Sequence, residues 1–329
     1  MSLLSTFADL LKPAPPPDPV VLAALGRIDE LVDPVLRAAG NFQRQLADPV
    51  RHALDYCDEL VGGLPGPLEI SHRAFAVDPL VHALFATADD IHQMLGRSQA
   101  VRDFLEQPCS LEADHFYAMF AARRLEKHQL GLAQQGDVIR NDVPQTVVYF
   151  SSQTLTEPNC QLQRTLLALR CKAFDSLLHS FHAHVEALRR ERDGLRQDLA
   201  QERNQLAHPR IGDAVLTQGI ATRHIAELDA HLRLTAESLM PEHLLPALAN
   251  HLRQPEPALR LTPVSIAVDR LGVVHDQAGD DENVHTLNFP EFTARDRRLH
   301  LAMLARIDRA EAQAAVDLVR DQQHRFLII

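Results

Sequence analysis

A helical pattern of apolar side chains dominates the middle of the chain, between Pro158 and Pro209. Residues 159–208 contain no proline and one glycine, and apolar or small side chains recur there every three or four positions. This spacing places them along one stripe of an α-helix. At 1.5 Å per residue the helix would be roughly 75 Å long. We therefore expect part of it to project from a compact domain or to pair with another helix.

A second helix is predicted from Asp213 to about Leu239. The short connection between the two helices predicts an antiparallel helical hairpin, which we call the arm (residues 159–240). Its distal part, from Glu186 to Gln205, is densely charged on the faces away from the stripe, as in a solvated coiled-coil arm. The predicted contact surface for a protein partner or a second copy is the apolar stripe Leu188, Leu195, Leu199 and Leu206.

The remaining segments predict a mainly α protein of the α+β class. Ser110 would begin a helix ending near Gly131, with Phe116, Met119 and Phe120 on one face. Residues 146–150, 259–268 and 284–292 are rich in β-branched and aromatic side chains or alternate, which predicts strands. We expect a small antiparallel sheet with the arm inserted between its first and second strands. A last helix would run from Thr293 to about Arg325.

These elements predict four regions along the chain. Residues 1–19 are expected to form an amphipathic helix and a proline-rich tether, and residues 20–140 a multi-helix domain. Residues 141–292 would hold the sheet and the arm, and residues 293–329 a C-terminal helix with an apolar tail. Asp-Pro pairs recur at residues 18–19, 33–34, 48–49 and 78–79 and are expected to begin or kink helices, because Asp is a good N-cap and Pro suits the first helical position.

Composition narrows the classes of partner. The net charge of −11 disfavours nucleic acid as a partner, because a broad phosphate-binding surface needs a basic surplus. No stretch is long and apolar enough for a membrane span, and the N-terminus lacks the pattern of a signal peptide. The 4 cysteines contain no CxxC pair, which is typical of free thiols in a reducing cytosol. Scarce lysine with abundant alanine and arginine suggests a high-GC bacterium, and we expect a cytoplasmic protein.

The strongest metal-binding candidate is His179-x-x-His182-x-x-x-Glu186 on the long helix. Positions separated by three and seven residues lie on one helix face, so the three side chains could converge on a divalent metal. The same pattern is common on a hydrated helix face, and it lacks the HExxH signature of zinc proteases. No cofactor is therefore expected, and a divalent metal stays an alternative.

The sequence carries no strong signature of a function, and its residues match no family pattern. Signatures of nucleotide binding and of nucleophilic catalysis are absent from the sequence. The leading hypothesis is a non-enzymatic interaction or adaptor protein that uses its arm for partner binding or self-association. One alternative is a metal-dependent, hydrolase-like enzyme with His179, His182 and Glu186 as ligands. Another is a small-ligand sensor with a site between sheet and helices.

Overall fold

The computed structural model describes residues 18–135, 138–207, 215–275, 283–293 and 299–326. The predicted N-terminal helix and most of its tether lie outside this range, as do the connections at 208–214 and 276–282 and the last three residues. Helices hold about 60% of the described residues and strands about 25%, so the class is mixed α/β.

The elements follow one another along the chain in this order. The first part contains α1 (Pro19–Leu31), a 3-10 helix (Pro34–Ala38), α2 (Phe42–Gly62), β1 (Leu68–Glu69), α3 (His72–Val77), α4 (Pro79–Leu84), α5 (Ala88–Arg97), α6 (Gln99–Leu105) and α7 (Pro108–Leu111). The middle contains β2 (His115–Gln135), β3 (Val138–Asn159), α8 (Leu162–Ala207), α9 (Val215–Ser238) and α10 (Pro241–Arg253). The last part contains β4 (Leu261–Val268), β5 (Val274–His275), β6 (His285–Thr293), β7 (Leu299–Asp308) and α11 (Arg309–Phe326).

The chain divides into two compact units. The helical unit comprises residues 1–56 and 174–255, and the sheet unit comprises residues 57–173 and 256–329. Helices α2 and α8 each contribute residues to both units. In the helical unit, the apolar faces of α1, the 3-10 helix, α8 and α10 supply a core that includes Ile28, Leu36, Leu177, Leu178 and Leu248.

The sheet unit is built on a seven-stranded sheet in the order β3-β2-β7-β6-β4-β5, with β1 paired to β7. All pairings are antiparallel except that of β1. The two ends of this order also meet, because Val147 of β3 bridges Val273 and the Val148 N–H donates to the Gly272 carbonyl at 2.8 Å. The sheet therefore curls round on itself, with edge-to-face rings of Phe150 and Phe289 in its core.

The Asp-Pro pairs act as predicted at three of their four positions. Asp18, Asp33 and Asp78 each accept a hydrogen bond from the backbone N–H two residues on, and begin α1, the 3-10 helix and α4. The fourth pair lies within α2, which contains Pro49. The short helices of residues 20–84 therefore owe their starts to local capping.

The predicted helix from Ser110 to Gly131 is wrong, because residues 115–131 belong to β2 and Ser110 lies in the four-residue helix α7. Phe116, Ala118, Phe120 and Ala122 are all fully buried, which is the two-residue period of a strand. A four-residue separation such as Phe116 to Phe120 fits one face of a helix and one face of a strand equally well. Pairing with β3 and β7 on either side selects the strand.

The predicted C-terminal helix from Thr293 is also wrong over its first half. Residues 299–308 form β7, and only Arg309–Phe326 is helical. The segment Leu301–Ala305 is buried at every position, so both faces of β7 are covered there, and a strand covered on both faces loses its alternation. With β2 and β7 added, the expectation of a mainly α protein with a small sheet is corrected to a mixed α/β protein with a seven-stranded sheet.

Candidate functional site

The two long helices expected in the arm are present as α8 and α9. Among the described residues, three contacts between charged or titratable side chains join them: His231 to Glu191 at 3.0 Å, His224 to Glu202 at 3.3 Å and Arg203 to Asp229 at 3.5 Å. Glu191 of α8 contacts the later residue of α9, His231, and the positions 202 and 203 contact the earlier residues 224 and 229, so the helices run antiparallel. All three contacts are solvent-accessible, and each contributes little to stability compared with apolar packing.

The leucine stripe predicted as a contact surface lies mostly inside the molecule. Leu195 and Leu199 are buried, with 9% and 6% of their surface exposed, and Leu188 and Leu206 are half-buried. A stripe covered in this way stabilises the arm itself. It offers a partner much less surface than the sequence pattern suggests.

The outer face of α9 carries the exposed apolar surface of the arm. Ile220 and Leu234 expose 68% and 63% of their surface. Fourteen residues separate them, so they lie about 21 Å apart along the axis and within about 40° of each other around it. Glu227 lies midway on the same face and Arg223 one turn before it, and both are exposed. The resulting surface, which we call the outer patch, has apolar ends and a charged middle.

The three residues of the predicted metal site have separate partners. His179 contacts the Asp175 carbonyl of its own helix at 2.7 Å through Nδ1, and His182 contacts the Val32 carbonyl at 2.8 Å through Nδ1. Glu186 accepts a hydrogen bond from Arg189 at 2.6 Å. No group of three or more His, Cys, Asp or Glu side chains that could hold a metal ion occurs among the described residues.

Two further polar side chains of the helical unit, Arg189 and His251, also have defined partners. Arg189 pairs with Glu186 and with the buried Asp33, and these contacts raise the pKa of its guanidinium, the Glu186 hydrogen bond most of all. Burial lowers the pKa of His251, whose Nε2 lies 3.1 Å from the Leu177 carbonyl. Burial therefore favours the neutral imidazole, which can still donate a hydrogen bond to this carbonyl from Nε2.

A cleft of about 620 Å³ lies in the sheet unit, between α3 and α4 on one side and β3, β4 and β6 on the other. This volume is in the range of small-molecule sites. Its floor consists of the buried side chains Phe85, Val148, Phe150, Val268 and Leu287. At its mouth stand Leu271 and Val77, with 81% and 79% of their surface exposed, the two most exposed large apolar side chains of the described residues.

Both carboxylates that line the cleft accept hydrogen bonds from the backbone of its walls. Asp78 accepts hydrogen bonds from the N–H groups of Leu80 and Val81, at 2.8 and 3.2 Å. Asp269 accepts from those of Leu271 and Val273, at 2.8 and 2.9 Å, and so shapes the turn that carries Leu271. The other polar side chains that line the cleft are those of His82, Tyr149, Arg270 and His285. The arrangement can bury an apolar group and place hydrogen-bond donors beside it.

The sequence offered a small-ligand site between sheet and helices as an alternative but identified none of its residues, because the walls of the cleft come from residues 75–86, 148–150, 268–272 and 285–287. Only two local signals mark it, the cap at Asp78 and the turn after Asp269. Neither signal indicates that the two segments meet, since that depends on long-range strand pairing.

Comparisons with protein-family models, curated proteins and solved structures find no match for this chain. None of the helices within the described residues is long and apolar enough to cross a membrane.

Proposed function

We propose that this is a non-enzymatic interaction protein that self-associates through the outer patch of its arm. The observation that carries the proposal is the exposure of Ile220 and Leu234 on one face of α9. The sequence predicted the same role for the stripe of Leu188, Leu195, Leu199 and Leu206. The proposal moves the contact from that covered stripe to the exposed face of the neighbouring helix.

A second copy fits the outer patch because the patch is complementary to itself. When two α9 helices pack antiparallel, Ile220 of one copy can meet Leu234 of the other at both ends. Glu227 then lies at the two-fold axis, opposite Glu227 of the other copy. Arg223 of each copy lies about one turn, or 5.4 Å, from the level of both carboxylates, so two guanidinium groups flank the two like charges. Apolar ends that pair in this way are a feature of symmetric helix contacts.

The proposal predicts that replacing Ile220 and Leu234 by Asp weakens self-association roughly hundredfold, because two apolar contacts are lost and like charges face each other. Sedimentation velocity over a concentration series measures the effect. Both side chains are exposed, so circular dichroism of the variant should match that of the wild type. Leu318→Asp is the matched control, since it changes an exposed helical leucine of α11.

A wild-type chain that stays monomeric over the whole concentration series would refute self-association. A dimer that persists in the double variant and in the control would place the contact elsewhere. A Leu195→Glu variant would test neither outcome, because Leu195 is buried and the change would disturb the arm itself.

The cleft supports a second candidate function, the binding of a small apolar ligand in the sheet unit. The supporting observation is that exposed Val77 and Leu271 flank a buried apolar floor. Apolar side chains exposed around a concave apolar surface are typical of ligand sites. The Arg270 guanidinium, with the imidazoles of His82 and His285 in the same lining, favours a ligand with an acidic or hydrogen-bond-accepting head.

Anilinonaphthalene sulfonate, a flat apolar anion, tests this second candidate by its fluorescence on binding. We expect saturable binding to the wild type and roughly tenfold weaker binding when Val77 and Leu271 are both replaced by Asp. Leu130→Asp, a change at another exposed leucine of the sheet unit, should leave the binding unchanged. Equal binding by all three proteins would exclude the cleft as the site.

A further inference from the structure

Two cysteines that are far apart in the sequence lie side by side in the sheet unit. Cys109 belongs to α7, just before β2, and Cys160 directly follows β3. The register pairs Tyr117 with Asn159, so the open end of the β2–β3 hairpin lies beside both cysteines.

The contact between the two residues is close. The Cys160 thiol donates to the Cys109 carbonyl oxygen, with Sγ 3.0 Å from that oxygen. A carbonyl oxygen is less than about 3 Å from its own Cα, so the Cys160 sulfur lies within about 6 Å of the Cys109 Cα. A side-chain rotation at Cys109 can therefore bring its sulfur toward that of Cys160, which is the approach that a disulfide requires.

The surroundings give the two thiols different properties. Cys109 is exposed, and its Sγ has only a weak contact with Gln107 Oε1 at 3.8 Å. Cys160 is half-buried, and burial together with the neighbouring Cys109 raises the pKa of its thiol to about 11. An oxidant in solution therefore reaches Cys109 first and finds Cys160 held next to it.

The geometry points to Cys109 and Cys160 as a reversible oxidation site, at which a hydroperoxide converts the two thiols into one disulfide. The Cys109 thiol gives its proton to water, and the thiolate attacks one peroxide oxygen and breaks the O–O bond. This gives a sulfenic acid and, for hydrogen peroxide, a hydroxide that takes up the released proton and leaves as water. Cys160 then attacks the sulfenic sulfur, loses its proton to water and displaces hydroxide, which leaves as a second water. Two electrons pass from the two sulfurs to the peroxide. A dithiol reductant returns both residues to thiols by exchange.

The disulfide would fasten the two ends of the β2–β3 hairpin together. It would enclose the whole hairpin in a loop, since the two cysteines are 51 residues apart. It would also tie α7 to the first turn of α8, which begins at Leu162. Closing a loop of this length in the unfolded chain is expected to raise the Tm by several degrees.

The test treats the dilute full-length chain with hydrogen peroxide, alkylates the remaining thiols and identifies the peptides by mass spectrometry. We expect one intramolecular Cys109–Cys160 disulfide per chain, with the mass of two hydrogens lost, and its complete reversal by dithiothreitol. Cys109→Ser and Cys160→Ser should abolish it. Cys171→Ser removes another exposed thiol of the sheet unit and should leave it unchanged.

The assignment would be overturned if all four thiols were still alkylated after the peroxide treatment, or if the disulfide joined two chains or involved Cys171. Direct oxidation of Cys109 to a sulfinic acid would also overturn it. Cys57 and Cys171 are the other two neighbouring cysteines, and we expect them to compete little for the oxidant. Cys57 is fully buried, and its burial raises the pKa of its thiol to about 12, so it stays protonated beside Cys171.

Discussion

Replacing Glu291 by Leu is expected to lower the free energy of unfolding of the sheet unit by about 3–5 kcal/mol. Glu291 lies on β6 with 4% of its side chain exposed, and Arg124 lies on β2 with 14% exposed. Two hydrogen bonds join them across the intervening strand β7, from Arg124 Nε at 2.5 Å and from Nη2 at 3.1 Å. Without the carboxylate, a guanidinium stays in a poorly hydrated site with its buried partner missing.

A matched control uses the other partner of the same arginine. Arg124 also pairs with Glu126, whose side chain is 45% exposed. Because that pair is open to solvent, Glu126→Ala should cost under about 1 kcal/mol. Urea unfolding followed by circular dichroism measures both variants, since the chain has no Trp for fluorescence. Equal losses of unfolding free energy in Glu291→Leu and Glu126→Ala would contradict the claim that burial makes the Glu291 contact the stronger one. Replacing Arg124 by Met as well should recover much of the stability lost in Glu291→Leu.

Alanine is expected to destabilise the protein at Gly96, although Ala normally favours a helix over Gly by about 1 kcal/mol. Gly96 is a buried residue of α5, at its contact with α11. A Cβ at this position would lie 2.5 Å from the Ala315 carbonyl oxygen and 2.6 Å from Val319 Cγ2. The backbone of α11 would have to move, and overpacking of this kind typically costs about 1–3 kcal/mol.

Gly194 gives the opposite expectation and serves as the control for Gly96. It lies within α8, and no atom comes within 4 Å of the position of an added Cβ. Gly194→Ala should therefore raise the free energy of unfolding by about 0.5–1 kcal/mol. Urea unfolding of the two variants should give changes of opposite sign. A gain in stability at both positions would mean that α5 and α11 separate without cost.

Local patterns predicted the elements that local interactions determine. The long helix was expected at residues 159–208 and is found at Leu162–Ala207, because no proline interrupts a sustained apolar period. The strand at residues 146–150 lies within β3, and those at 259–268 and 284–292 correspond closely to β4 and β6. The errors at β2 and β7 arose where strand pairing decides the structure. In β7, Leu, Ala, Met and Arg favour a helix, and pairing with two strands overrides that preference.

The candidate sites depended even more on long-range packing. The sequence identified the leucine stripe of α8 but did not show that Leu195 and Leu199 become buried within the same chain. It gave no sign that Cys109 and Cys160 meet, because they are 51 residues apart and form no short motif. An apolar stripe in a sequence predicts a covered surface, and only the fold shows what covers it.

Photo-cross-linking between copies tests most directly whether the outer patch of one copy contacts the outer patch of another. A benzophenone amino acid at Glu227 would lie between Ile220 and Leu234 and leave both intact. In an equal mixture of nitrogen-14 and nitrogen-15 chains, we expect cross-linked peptides that join a light and a heavy copy within α9. Cross-links confined to single chains, at concentrations where the wild type is associated, would contradict the claim.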